Sequence, residues 1–159
     1  IGKANQSARQ TAHGLAPVLL DSEGLVGALA QLARGLETAH AIRCDFGYEE
    51  DGPDCGRQET IQLYRITQEA LRNAVQHGKA DRIEVTLQKR GESWRLRIAD
   101  NGIGLPDLPK GGMGILTMEH RARSIGAVFI LAPRKPQGAE IVCILPQGSH
   151  RDENRNTEL

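Results

Sequence analysis

The chain has no net charge: 20 basic residues are matched by 20 acidic ones among 159. A dedicated nucleic-acid binder collects phosphates with an excess of positive charge, so that class of function is set aside. Cysteine is scarce and odd in number, and Cys44, Cys55 and Cys143 show no C-x-x-C spacing. That argues against a disulfide framework and a zinc site, and it fits a reducing cytoplasm. Long apolar runs are missing too. No stretch approaches the roughly 20 residues that span a bilayer, and the start carries no signal-peptide pattern. The first residue is Ile1 rather than Met, so the chain is expected to be a piece excised from a longer protein. No internal repeat is visible. A chain of this length supports one compact domain with appendages, with room for a core but not for a second catalytic domain.

What is present centres on Asp100-Asn101-Gly102-Ile103-Gly104-Leu105. The stretch Ser93–Ala99 alternates apolar and polar, so it reads as a strand with Trp94, Leu96 and Ile98 on the buried face. Asp100 has the same parity. A carboxylate aimed at a core is unfavourable without a polar partner, and a ligand donor such as the exocyclic amine of adenine would supply one. Asp-Asn-Gly could equally form a turn, but the parity of Asp100 favours the ligand. Gly102 and Gly104 would let the backbone turn tightly beside a flat ring.

Upstream, Glu59–His77 places Leu63, Ile66, Ala70 and Ala74, widened by Tyr64, Leu71 and Val75, on one side of a helix. Glu69 and Asn73 are four residues apart on another edge, with Gln76 and His77 nearby, and both present oxygen. Oxygen suits magnesium, which keeps several waters and takes one or two protein ligands plus substrate phosphates. Downstream, Gly111-Gly112-Met113-Gly114 opens a helix with the buried stripe Ile115, Met118, Ala122 and Ile125. A glycine-rich helix start offers free N–H groups to phosphate oxygens.

The remaining elements frame this pocket. Ile1–Leu15 reads as the end of a helix that stops at Pro17. Ser22 is a candidate N-cap for a helix reaching about His40, with Leu25, Ala28, Leu29, Leu32 and Leu36 as its stripe. Ala41–Tyr48 reads as a strand with Ile42, Cys44 and Phe46 on one face, and Glu49–Gly56 as an acidic loop. Ile83, Val85 and Leu87 mark a strand that forms a hairpin with Trp94–Ala99 around Gly91. Pro106–Gly111 is a short lid. Gly126 ends the third helix, and Val128–Leu131 and Glu140–Leu145 are two more strands joined by Pro133–Gly138. The expected fold is an α/β two-layer sandwich, a mixed and mainly antiparallel sheet covered on one face by about three helices. The divisions are a helical remnant at 1–20, a domain at 21–146 and a polar, disordered tail at 147–159.

Three segments carry a resemblance. Gln68-Glu69-Ala70-Leu71-Arg72-Asn73-Ala74-Val75-Gln76-His77, Asp100-Asn101-Gly102-Ile103-Gly104-Leu105-Pro106 and Gly112-Met113-Gly114-Ile115-Leu116-Thr117-Met118-Glu119-His120-Arg121-Ala122 resemble the N box and two G boxes of bacterial sensor histidine kinases. The short lid and the Met-x-x-Arg-Ala wording resemble the subfamily that includes nitrate/nitrite sensors. Their ATP-binding domain, of the Bergerat type, belongs to the superfamily shared with DNA gyrase, heat-shock chaperones and mismatch-repair ATPases. The resemblance covers Leu15 to Pro146.

The resemblance implies ATP and magnesium as ligands, with Asp100 binding adenine N6, Asn73 on the metal and Glu69 as a second metal ligand or catalytic group. His77, Asn101, Gly102, Gly104, Gly112 and Gly114 would complete the nucleotide site. The family commonly has Lys-His-Ser where this chain has Gln76-His77-Gly78, so Lys79 or Lys110 would have to replace a phosphate-facing charge. Residues 1–20 would be the tail of a dimerisation helix. The implied partners are a dimerisation domain holding the phosphoaccepting histidine and a response regulator receiver domain, with a homodimeric full-length protein, anchored in the inner membrane or not. His13, His40, His120 and His150 read as surface residues. His13 lies on the wrong helix and lacks an adjacent carboxylate, so the chain alone is not expected to phosphorylate itself. Two alternatives stay open: an ATP-hydrolysing domain of the gyrase, chaperone or mismatch-repair type, with Glu69 activating water, and a non-catalytic nucleotide-binding module.

Overall fold

The computed structural model describes residues 2–49, 52–105 and 112–148, with side chains from residue 20 onward. The elements run α1 (Gly2–His40), β1 (Arg43–Tyr48), α2 (Arg57–Gln76), β2 (Arg82–Arg90), β3 (Ser93–Asp100), α3 (Met113–Ser124), β4 (Val128–Pro133) and β5 (Ala139–Pro146). Every expected helix and strand is therefore present. The lid at 106–111 lies outside the described residues, as do residues 50–51 of the acidic loop and the tail from 149. Gln147, at the start of that tail, still donates its N–H to the Glu92 carbonyl at 2.7 Å.

One boundary differs. The backbone runs helical through Pro17 and Ser22, so neither stops or caps a helix, and the break falls at Gly24 (φ 68, ψ −176). Proline's own φ is helical, so it costs one amide donor rather than the turn itself. The left-handed φ at the break is accessible to glycine at little cost. Beyond it Leu25, Ala28 and Leu29 are buried, and Leu20 before it already belongs to the core.

The sheet order is β1-β2-β3-β5-β4, with β1 parallel to β2 and every other pair antiparallel. Register sets one face: Cys44 lies beside Ile83, Val85 beside Ile98, Leu96 beside Cys143 and Ile98 beside Ile141. These residues and the helix stripes form one hydrophobic cluster, whereas Ala99 and Val142, of opposite parity, are buried but lie outside it. The helices thus cover one face. Helix α2 lies between α1 and α3 and reaches β3 and β5, with Leu63, Ile66, Ala70, Leu71 and Ala74 buried at that junction. The opposite face carries charge. Glu84 accepts from Arg97 (3.3 Å) and Arg134 (3.0 Å), and Arg97 also donates to Glu140 (2.8 Å).

Candidate nucleotide site

Helices α2 and α3 and the inner face of the sheet enclose a cleft of about 500 Å³, within the usual range for a small-molecule site. Helix α2 contributes Glu69, Asn73 and, at its C-cap, His77. Asp100 and Gly104 come from the end of β3 and the turn after it, and Gly112 and Gly114 from the start of α3. Met118, Leu131 and Ile141 supply apolar walls. Seven expected site residues therefore meet around one cavity: Glu69, Asn73, His77, Asp100, Gly104, Gly112 and Gly114.

Asp100 is the last residue of β3 and stands opposite Ile83, on the core face, only 9% exposed. Its Oδ1 accepts the N–H groups of Gly102 (2.8 Å) and Ala139 (3.4 Å). Neither bond falls on Oδ2, which leaves that oxygen available to a donor in the cleft. Gly138 completes the support. Its φ is 116, and a Cβ there would lie 1.9 Å from the Asp100 carbonyl oxygen, so no residue with a side chain fits. In the sequence Gly138 marks only the end of a connection, because its contact is with a strand 38 residues away and has no local signature.

At the other end of the cleft, Glu69 and Asn73 lie one turn apart, as their spacing requires. The Glu69 carboxylate is already engaged by Arg72, whose Nε donates to Oε2 at 3.1 Å and whose terminal nitrogen bonds Oε1. Arg72 also lines the cleft. It was quoted in the motif but given no part, although its i,i+3 spacing from Glu69 was readable. Helix α3 approaches so closely that a Cβ on Gly114 would lie 2.3 Å from Glu69 Oε1 and 3.2 Å from Asn73 Nδ2. No side chain caps the first turn of α3; the N–H groups of Ile115 and Leu116 go to the Gly112 carbonyl (3.0 and 3.3 Å), which leaves those of Met113 and Gly114 for an anion.

Two expected contacts are placed elsewhere. Asn101 is exposed and absent from the cleft wall; its side chain bonds the start of β2 instead. Gly102 is likewise not a wall residue and serves through its N–H to Asp100. Of the two candidate replacements for the missing lysine, Lys79 is exposed outside the cleft wall, and Lys110 lies outside the described residues. Arg121 bridges α3 to α2 through Gln62 at 2.9 Å. His40 and His120 are exposed, as expected.

An apolar slot with one buried carboxylate on its wall and an uncapped helix start at its mouth defines a nucleotide-binding α/β domain. Residues 58–149 match the family described as histidine kinase-, DNA gyrase B-, and HSP90-like ATPase. That match covers more than half of the chain, and the chain belongs to this family. Among curated relatives it is 29% identical over 147 residues to the sensor histidine kinase LiaS of Bacillus subtilis (strain 168), covering 91% of this chain and 40% of the relative. It is also 29% identical over 102 residues to the nitrate/nitrite sensor protein NarX of Escherichia coli (strain K12), covering 62% of this chain and 17% of that protein. The chain therefore spans less than half the length of these relatives. Among solved structures, the histidine kinase domain of the Erythrobacter litoralis EL346 blue-light activated histidine kinase superposes with a TM-score of 0.63 at 22% identity. That alignment covers 80% of this chain and 68% of the other, and it supports the fold. Among the described residues no helix is long and apolar enough to cross a membrane.

Proposed function

We propose that the chain binds ATP with magnesium in the α2–α3 cleft and donates the γ-phosphoryl group to a histidine on a dimerisation domain outside this sequence. A response regulator receiver domain would then take the phosphoryl group, and the full-length protein would act as a homodimer, with residues 1–20 as the tail of a dimerisation helix. The observation that carries the reading is Asp100: a buried carboxylate on the wall of a cleft, with its protein hydrogen bonds on one oxygen only. Adenine offers a flat ring to the apolar walls and an exocyclic amine to the other oxygen. The kinship with sensor histidine kinases supports the choice of acceptor.

The residues present fit magnesium at the other end. Asn73 and Glu69 offer oxygens on one helical edge, and among the described residues no group of three or more His, Cys, Asp or Glu forms a cage for a metal. One or two protein ligands completed by phosphates and water is how magnesium is usually held. Bound magnesium neutralises phosphate charge. Asn73 orients the phosphate end through its side-chain oxygen, and the α3 start places N–H groups around phosphate oxygens. Each Glu69 oxygen accepts one bond from Arg72 and keeps a further lone pair, so metal or water would share the carboxylate with that guanidinium.

Calorimetry with ATP, with and without magnesium, tests the reading. Asp100→Asn should weaken ATP binding about tenfold to a hundredfold, since a buried group left unsatisfied costs about 1–3 kcal/mol. Asn73→Ala should weaken the magnesium-dependent part while sparing the fold. Incubation with radiolabelled ATP, alone and then with a supplied dimerisation domain, should label histidine only in the second case. Unchanged affinity in Asp100→Asn, or acid-labile label on the isolated chain, would overturn it.

A further inference from the structure

We propose that Asn101, although outside the cleft, is a positioning residue for base recognition, stapling the turn that carries Asp100 to the start of β2. The proposal rests on the reading of Asp100 as the acceptor for the base. Its Oδ1 accepts the N–H groups of Asp81 (3.2 Å) and Arg82 (3.0 Å), and its Nδ2 donates to Asp81 Oδ1 at 2.7 Å. Its own N–H donates to the Arg82 carbonyl at 3.2 Å, and two residues later the Ile103 N–H donates to the Gly78 carbonyl at 2.8 Å. Five hydrogen bonds thus lace residues 101–103 to residues 78–82.

The position of this lacing gives it a function. The ladder between β2 and β3 ends at the pair Ile83 and Asp100, and beyond the carboxylate-bearing residue the backbone keeps only its two bonds to Arg82 and Gly78 among the described residues. From the β5 side Asp100 has the close packing of Gly138 and one hydrogen bond, the 3.4 Å contact from Ala139, which is at the weak end of hydrogen bonding. The Asn101 side chain adds the other three bonds. Because residues 78–82 follow directly on α2, the staple also fixes the separation between Asp100 and the helix bearing Asn73 and His77. Base end and phosphate end are held at one distance through an exposed asparagine.

The donor and acceptor pattern allows a test by exchange. Asn101→Asp sets a second carboxylate against Asp81, and adding Asp81→Asn returns a donor to the pair. The readout is calorimetric affinity of the full chain for magnesium-ATP and magnesium-inosine triphosphate, which carries a carbonyl in place of the exocyclic amine. Asn101→Asp should cut the preference for ATP about tenfold, as expected for losing one or two net hydrogen bonds. Inosine triphosphate affinity should stay in place, and the double variant should regain the preference to within about threefold, a residue of imperfect hydrogen-bond geometry. Equal weakening of both nucleotides, an unchanged preference, or failure of the exchange to rescue would overturn the staple. If Asn101→Asp does not fold, Asp81→Ala removes the 2.7 Å bond alone and must itself lower the preference; no change there overturns the proposal. Asp100→Asn, run alongside, separates the two readings. If it leaves the preference intact, the base assignment falls; if it abolishes the preference while Asn101→Asp does not, only the staple falls.

Discussion

Replacing Gly114 by alanine separates site geometry from fold stability. The added Cβ would lie 2.3 Å from Glu69 Oε1, whereas ordinary contact begins at 3.4 Å, so the carboxylate has to give way by about 1 Å. Glu69 is the end of a flexible side chain, so the backbone has no need to move. The cost to stability is the weakening of the Glu69–Arg72 pair, about 0.5 kcal/mol for a partly exposed pair. Alanine in place of glycine in a helix returns about 0.5–1 kcal/mol. The melting temperature, followed through the buried Trp94, the one tryptophan of the chain, should therefore move little. Transfer should suffer. A misplacement of about 1 Å in a group that positions reactants can cost on the order of a hundredfold in rate. The assay is phosphoryl transfer to a supplied dimerisation domain, with Gly35→Ala in α1 as the control, since nothing lies within 4 Å of a Cβ there and the residue is not on the cleft wall. Equal rates for Gly114→Ala and Gly35→Ala would refute the placement of Glu69 and Asn73 at the reacting end.

Other perturbations address the scaffold. Gly138→Ala drives a Cβ into the Asp100 carbonyl at a backbone angle closed to side chains; a loss of at least about 1–3 kcal/mol is expected, together with ATP affinity, and a wild-type melting curve would contradict the packing at β3. Glu84 is held below the usual carboxylate range chiefly by the hydrogen bond from Arg134, and then by that from Arg97. Its stabilisation is full above the unfolded glutamate value of about 4.3 and is lost as pH falls through the lower folded value. Glu84→Gln should therefore flatten the acid limb of a urea-stability profile; superimposable limbs would count against the network. Burial pushes the Cys143 thiol up to about 12, and burial first, with Glu37 and Asp45 next, pushes the Cys44 thiol up to about 11. Cys143 should not react with a thiol reagent at neutral pH until the protein unfolds, whereas Cys44, on the outer strand β1, should react only as fast as that strand opens; labelling of Cys143 as rapid as that of Cys44 would show that the sheet core opens.

How far the sequence could be read depended on the range of the cause. Helix α2 was legible because its stripe repeats within the helix, and Asp100 because strand parity extends one residue past Ala99. The parallel pairing of β1 with β2 was expected only in the general form of a mixed sheet. Its partner is set by the crossover through α2, not by any local pattern. The helix break was misplaced for a related reason: Pro17 is a strong local signal, but Gly24 is where the chain has to turn onto the core. Asn101 was read as a ligand contact because it lies inside the motif. Its partners, Asp81 and Arg82, become neighbours only once the hairpin closes.

Every described residue lining the cleft lies between Glu69 and Ile141, so the described side chains of α1 and β1 contribute none of its wall. Strand β1 is an edge strand with a single ladder, to β2, and its side chains are mostly half-buried or exposed. Such an element opens at lower free energy than the central strands. Amide exchange should accordingly fall into two tiers, with β1 losing its protons before β3 and β5, and nucleotide slowing only the second tier. The outer strand can detach and re-dock as a unit while the cleft keeps its shape.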